Sequence, residues 1–186
     1  MRLFIAIEIP EGIKKEMVGL QEKLKKSGAD ASWPRPEGVH LTLKFLGEVP
    51  ESKVEEIKNA LAAVAGGTGP FRLEAAGAGT FPSAKNPRVA WLGVTGDIDK
   101  LSALQQAIED AMRGEGFEQE EREFKPHLTL ARIKYLRSRD AWQSAMSGIK
   151  DVRLPAFDVT HVSLMKSELH RTGAVYTEVA RVELGK

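Results

Sequence analysis

The 186-residue sequence contains no cysteine. Disulfides, thiolate nucleophiles and cysteine-held zinc are thereby excluded. Long apolar runs are missing as well. Nowhere do about 18 apolar residues follow one another, so no membrane-spanning helix is expected. The opening MRLFIAIEIPEGIKKE has a short apolar run before its charges and lacks the pattern of a signal peptide, which makes a cytoplasmic location the default expectation. An excess of one charge is also missing: 27 basic and 26 acidic residues leave a net charge of +1. Such a balance offers no broad field to hold a long nucleic-acid duplex by many phosphates. A few phosphates at the end of a strand remain within reach.

What is present fits one globular domain, residues 1–186, with 42% hydrophobic and 28% charged residues and a mean hydropathy of −0.27. Residues 2–9 alternate: Leu3, Ile5, Ile7 and Ile9 share one face, and Arg2, Phe4, Ala6 and Glu8 the other. That is a strand with one buried side. Ile13, Met17, Leu20 and Leu24 predict a helix over 11–26, followed by a Pro- and Gly-punctuated loop over 32–38 and a strand over 39–46. Val54, Ile57, Leu61 and Val64 mark a second helix, a strand follows near 71–76, and Gly77, Gly79, Pro82 and Pro87 read as a loop.

The order then repeats. A strand is expected over 88–94, a helix over Ile98–Met112, a strand over 127–133 and a helix through Trp142 and Ile149. Strands over 156–165 and 174–183, joined by a turn at His170–Gly173, close the chain. The two predicted first strands begin at 2 and 88, and His127 stands 87 residues after His40. A shared offset across several elements implies a duplication, with lobe-forming repeats over about 2–76 and 88–184 and a pseudo-twofold axis between them. The fold class expected is α+β: antiparallel sheets around a central cleft, with helices outside.

The repeated strands carry HLTL at His40–Leu43 and again at His127–Leu130. Alternation puts His40 with Thr42, and His127 with Thr129, opposite the leucines. Each strand thus offers an imidazole and a hydroxyl roughly 6.6 Å apart, from a rise of about 3.3 Å per residue. Two imidazoles can divide acid and base work on a phosphate, because each titrates near neutrality. The two hydroxyls can donate to non-bridging oxygens as negative charge builds. No carboxylate cluster flanks the motifs, so no metal or other cofactor is expected.

Further contacts are expected from Phe4, as a stacking surface for a base, and from Lys44, on the alternation face of His40. Arg132 can pair with phosphate bidentately, although strict alternation turns it away from His127 unless a bulge intervenes. His161-Val-Ser163 imitates the motif and reads as a partly buried sheet residue. Trp33 and Trp91 read as packing residues.

HLTLKFLGEV and KPHLTLARI resemble the paired motifs of the 2H phosphoesterases, and within these the RNA 2′,3′-cyclic phosphodiesterases, also called 2′-5′ RNA ligases. RLFIAIEIP, RVAWLGV and the Ser167…Gly173…Tyr176 spacing extend the resemblance over nearly the whole chain. It implies a bilobal, metal-free enzyme, expected as a monomer, acting on RNA 3′ ends or small nucleotides that carry a cyclic phosphate. It also implies hydrolysis to a 2′-phosphate end, with His40 as proton donor to the departing 3′ oxygen and His127 as base, and ligation as the reverse. Two alternatives stand beside it. One is a non-catalytic module that binds RNA ends or nucleotides on the same fold. The other is a hydrolase of another cyclic or 2′-5′ linked nucleotide.

Overall fold

The alternating stretches become antiparallel strands in the computed structural model, which describes residues 1–185. In chain order the elements are β1 (Arg2–Glu8), α1 (Glu11–Lys25), β2 (Asp30–Ser32), β3 (His40–Glu48), α2 (Val54–Gly66), β4 (Phe71–Phe81) and β5 (Val89–Gly96). There follow α3 (Ile98–Gly114), β6 (His127–Tyr135), α4 (Arg139–Ile149), β7 (Phe157–Val159), β8 (His161–His170) and β9 (Gly173–Glu183). The fold is α+β, as expected.

Two sheets form, with strand orders β3-β1-β8-β9 and β2-β6-β5-β4-β7. Neither belongs to one repeat. β1 and β3 of the first half pair with β8 and β9 of the second, while β4 of the first half joins β5 and β6. The helices cross over in the same way. α1 packs on α4 and β6, and α3 packs on α2 and β3. The repeats therefore interlock, and a single apolar core runs through both, from Ile5, Ile7 and Leu41 to Leu92, Leu128 and Leu130.

That core fixes the register of the motif strands. Leu41, Leu43, Leu128 and Leu130 are all buried. Each fully buried leucine contributes about 1.5–3 kcal/mol. A slip by one residue would expose them and drive the histidines and threonines inward.

Three stretches differ from the sequence reading. β2 falls at the edge of a segment that carries no apolar run of its own; Ala31 is its one inward residue, and it pairs with β6. The three-residue β7 is a separate strand from β8. β4 continues to Phe81 through the glycines expected to form a loop. Gly77 has φ +77° where β4 shifts register against β5. At Gly79 a Cβ would come within 2.5 Å of the Trp91 ring, so this glycine makes room for an indole.

Candidate active site

The two motif strands present their polar residues alike. His40, Thr42, His127 and Thr129 are half-buried, on the side away from the core. β3 and β6, although in different sheets, come within 8 Å of one another, Cα to Cα. His40 Nδ1 lies 3.0 Å from the carbonyl of Gly38, and His127 Nδ1 lies 2.7 Å from that of Lys125. A carbonyl only accepts, so Nδ1 carries the proton and donates it in both rings. Nε2 is left available, a lone pair in the neutral ring and a donor in the charged one. Among the described residues, neither threonine hydroxyl has a side-chain hydrogen bond.

A β-bulge follows each motif at the same place. Thr42 pairs with Ala6 and Lys44 with Ile5; Thr129 pairs with Trp91 and Ala131 with Ala90. In both strands two residues thus advance against one on the partner, which reverses the alternation beyond them. Leu43 and Lys44 both turn inward, as do Leu130 and Ala131. The next residue turns out to the motif face: Phe45, 70% exposed, in one strand and Arg132 in the other.

Arg132 therefore stands on the side of His127 and Thr129, by the bulge that its expected role requires. Among the described residues its guanidinium has no ion-pair partner. Lys44 does not join the site. The bulge carries it into the core, where its Nζ donates to Glu109 Oε2 at 2.9 Å and to the Glu118 carbonyl at 2.9 Å. Strict alternation failed there because the extra residue flips every side chain after Leu43. Phe4 lies on the motif face but is only 5% exposed, its ring occupied by neighbours rather than open to a base.

Those neighbours wrap the first imidazole. The Phe4 and Tyr176 rings meet His40 edge-on, at centroid distances of 5.8 and 5.4 Å, and meet each other at 5.6 Å. Tyr176 reaches His40 because β9 curls over the segment before β3, where a Cβ on Gly38 would come within 2.7 Å of the tyrosine ring. Burial lowers the His40 pKa below its ordinary 6.5, against the bond to Gly38, which raises it, and with help from Lys14, which lowers it. The second imidazole meets Phe81 edge-on at 5.1 Å, and Phe81 leans on Trp91 at 5.2 Å. Phe81 was hidden in sequence because it follows the glycines of β4, and Tyr176 stood out only through the resemblance.

His161 lies in the first sheet beside β1, with Nε2 3.2 Å from Glu8 Oε2. Glu8 pairs in register with His40. Arg181 binds both Glu8 and Glu178, at 3.1 and 3.2 Å, and already supplies the positive charge among these groups.

The two-part organisation and this topology are matched in known proteins. The model for LigT-like phosphoesterases fits the chain twice in tandem, over residues 7–91 and 92–176. The chain belongs to the LigT-like phosphoesterase family. Among its relatives, the RNA 2′,3′-cyclic phosphodiesterase of Methanothermobacter thermautotrophicus is 35% identical over 179 residues, 96% of either chain. That of Thermotoga maritima is 38% identical over 178 residues, 95% of this chain and 91% of the other. Among solved structures, TT0787 of Thermus thermophilus superposes with a TM-score of 0.82 at 29% identity, over 100% of both chains. E. coli LigT complexed with 3′-AMP superposes with a TM-score of 0.79 at 26% identity, over 100% of this chain and 98% of the other. This LigT-like phosphoesterase thus shares its tandem organisation and its overall topology with enzymes of that family.

Proposed function

We propose that the chain hydrolyses RNA 2′,3′-cyclic phosphate ends to 2′-phosphate ends, with His40 and His127 as a metal-independent acid and base. The observation that carries this reading is the doubled presentation. Each motif strand offers one imidazole, tied at Nδ1 to a main-chain carbonyl and, among the described residues, free at Nε2 and beside an unengaged threonine hydroxyl. The names of the relatives supply the substrate class.

In the reaction, a water oxygen attacks phosphorus while His127 Nε2 takes its proton. The bond from phosphorus to the 3′ oxygen breaks, and His40 gives that oxygen its proton. Thr42 and Thr129 donate to the non-bridging oxygens, and Arg132 pairs with the phosphate. Ligation would follow the same path with a 5′-hydroxyl end attacking phosphorus in place of water, and leave a 2′-5′ linkage and a 3′-hydroxyl.

The burial of His40 bears on the direction of proton flow. In the free protein its lowered pKa favours the neutral ring. A phosphate anion beside it favours the charged ring and raises the pKa. His40 is thus loaded as an acid by the substrate itself. The profile of kcat/KM reports the free enzyme and that of kcat reports the complex. The His40 limb should therefore lie at lower pH in kcat/KM than in kcat.

The deciding experiment is product analysis on a short RNA ending in 2′,3′-cyclic phosphate, with EDTA present. Release of a 2′-phosphate end is expected. Full activity in the His40→Ala and His127→Ala single variants would end this reading. Binding without turnover would favour an RNA-end binding module instead.

A further inference from the structure

Two buried glutamines lie outside the machinery described so far, and the two halves use them alike. Gln21 of α1 is 4% exposed and Gln105 of α3 is 8% exposed. Gln21 Nε2 donates to the carbonyl of Leu130 at 3.0 Å, and Gln105 Nε2 donates to that of Leu43 at 3.3 Å. Leu43 and Leu130 are the bulge leucines, each the third residue after its motif histidine. A bulge takes one residue out of the ladder, and a buried carbonyl left without a donor is costly. In each half the missing donor comes from the helix that crosses over from the opposite half.

Each crossing helix also holds the segment that leads into its own half's motif. Gln21 Nε2 donates at 2.9 Å to the carbonyl of Pro34, ahead of His40. On α3 that part falls to Glu109, whose Oε2 accepts from the Glu120 amide at 3.3 Å, ahead of His127. One helix therefore ties the approach to one histidine to the bulge behind the other.

We propose that Gln21 and Gln105 are positioning residues: each pins the bulge behind one motif and so decides which side chain stands beyond the motif threonine, Arg132 in one half and Phe45 in the other. Without the bulge, alternation would turn Arg132 toward the core, where an unpaired guanidinium is not tolerated. The strand would have to distort, and the guanidinium would lose its fixed place. The inference rests on the reading of Arg132 as a phosphate contact for its binding test, but not for its structural one.

Gln21→Met keeps the length of the side chain and removes the donor. Adenosine 2′-phosphate, of the product class, serves as the probe in calorimetry. Binding should weaken about ten- to a hundredfold in Gln21→Met, as in Arg132→Ala, from the loss of hydrogen bonds to a charged group. The double variant should bind no worse than Arg132→Ala alone, because both changes remove one contact. In turnover, KM should rise while kcat changes little. A double variant whose loss is the product of the two single losses would overturn the inference, whatever the fall in melting temperature. Should Gln21→Met not fold, Gln21→Asn, which draws the amide back by one methylene, is read the same way. If the native chain binds no adenosine 2′-phosphate, the functional reading falls, and NMR contacts across β5 and β6 decide instead. A bulge still seated at Leu130–Ala131 in the variant overturns the inference, and a shifted one upholds it.

Discussion

The His40 strand and the His127 strand share a backbone device and differ in what it presents. Each has the imidazole tied at Nδ1, the threonine, the bulge and the buried glutamine behind it. Beyond the bulge one strand offers Phe45 and the other Arg132. The His40 side is a nest of rings, with Phe4 against His40, Tyr176 and Phe45. The His127 side sets Phe81 between His127 and Trp91, with Arg132, unpaired among the described residues, on the same face. The two halves thus keep alike the parts that fix the backbone and the imidazole, and differ at the outward positions. Under the proposed function, one half of the site would hold the phosphate charge and the other would set a proton donor in a less watery place.

The comparison breaks most severely where the halves are alike. His40→Ala and His127→Ala should each cost roughly 10²–10⁴ in rate, the usual worth of a positioned acid or base. Release of the 2′-phosphate end from a cyclic-phosphate RNA measures it. A large loss for one histidine and none for the other would mean that the halves share a motif without sharing the work.

The next test concerns the inward bulge residue, Lys44 in one half and Ala131 in the other. Lys44→Met leaves the Glu109 carboxylate buried without its counter-charge, and Glu109 Oε1 already lacks a hydrogen-bond partner among the described residues. Breaking one side of such a pair costs about 3–5 kcal/mol. Urea unfolding should show that loss, while the folded variant keeps its pH profile. A changed profile would return Lys44 to the site.

The outward residues should part company in binding. Arg132→Ala should raise KM about ten- to a hundredfold, from hydrogen bonds to a charged group worth about 1.5–3 kcal/mol. Phe45→Ala, which removes a ring 70% exposed, should change KM by a smaller factor. Equal effects would show that the divergence after the bulge carries no division of labour.

The repeated order of elements, and the shared face of His40 with Thr42 and of His127 with Thr129, were legible because they rest on local alternation and a repeated spacing, both of which survive in a single sequence. Arg132 was legible only conditionally, since its face depends on a bulge that no residue type at Leu130 or Ala131 announces. The same bulge misled the reading of Lys44, which alternation assigned to the face of His40 and which lies in the core. The exchange of β4 and β8 between sheets was hidden because strand pairing is non-local. The rings around His40 come from β1 and β9, at opposite ends of the chain, and only the curl of the first sheet joins them. Gly79 read as a loop residue because its reason, the Trp91 ring, lies on another strand.

The smallest expected effect is the most specific to the His40 half. Its pKa is lowered chiefly by burial, and Tyr176 supplies one wall of that burial. Tyr176→Ala admits water, relieves the desolvation, and should raise the His40 pKa toward 6.5. NMR titration of the His40 ring reads it directly, and one limb of the kcat/KM profile should move to higher pH while the other stays. Stability follows with a definite sign. The native chain holds the His40 proton less readily than the unfolded chain, so this contribution is present above pH 6.5 and is lost as pH falls through the folded value. Tyr176→Ala should flatten that loss, which urea unfolding at a series of pH values below 6.5 will show. An unmoved His40 titration would mean that the tyrosine covers the ring without drying it, and that the depressed pKa comes from β1 and the rest of the sheet.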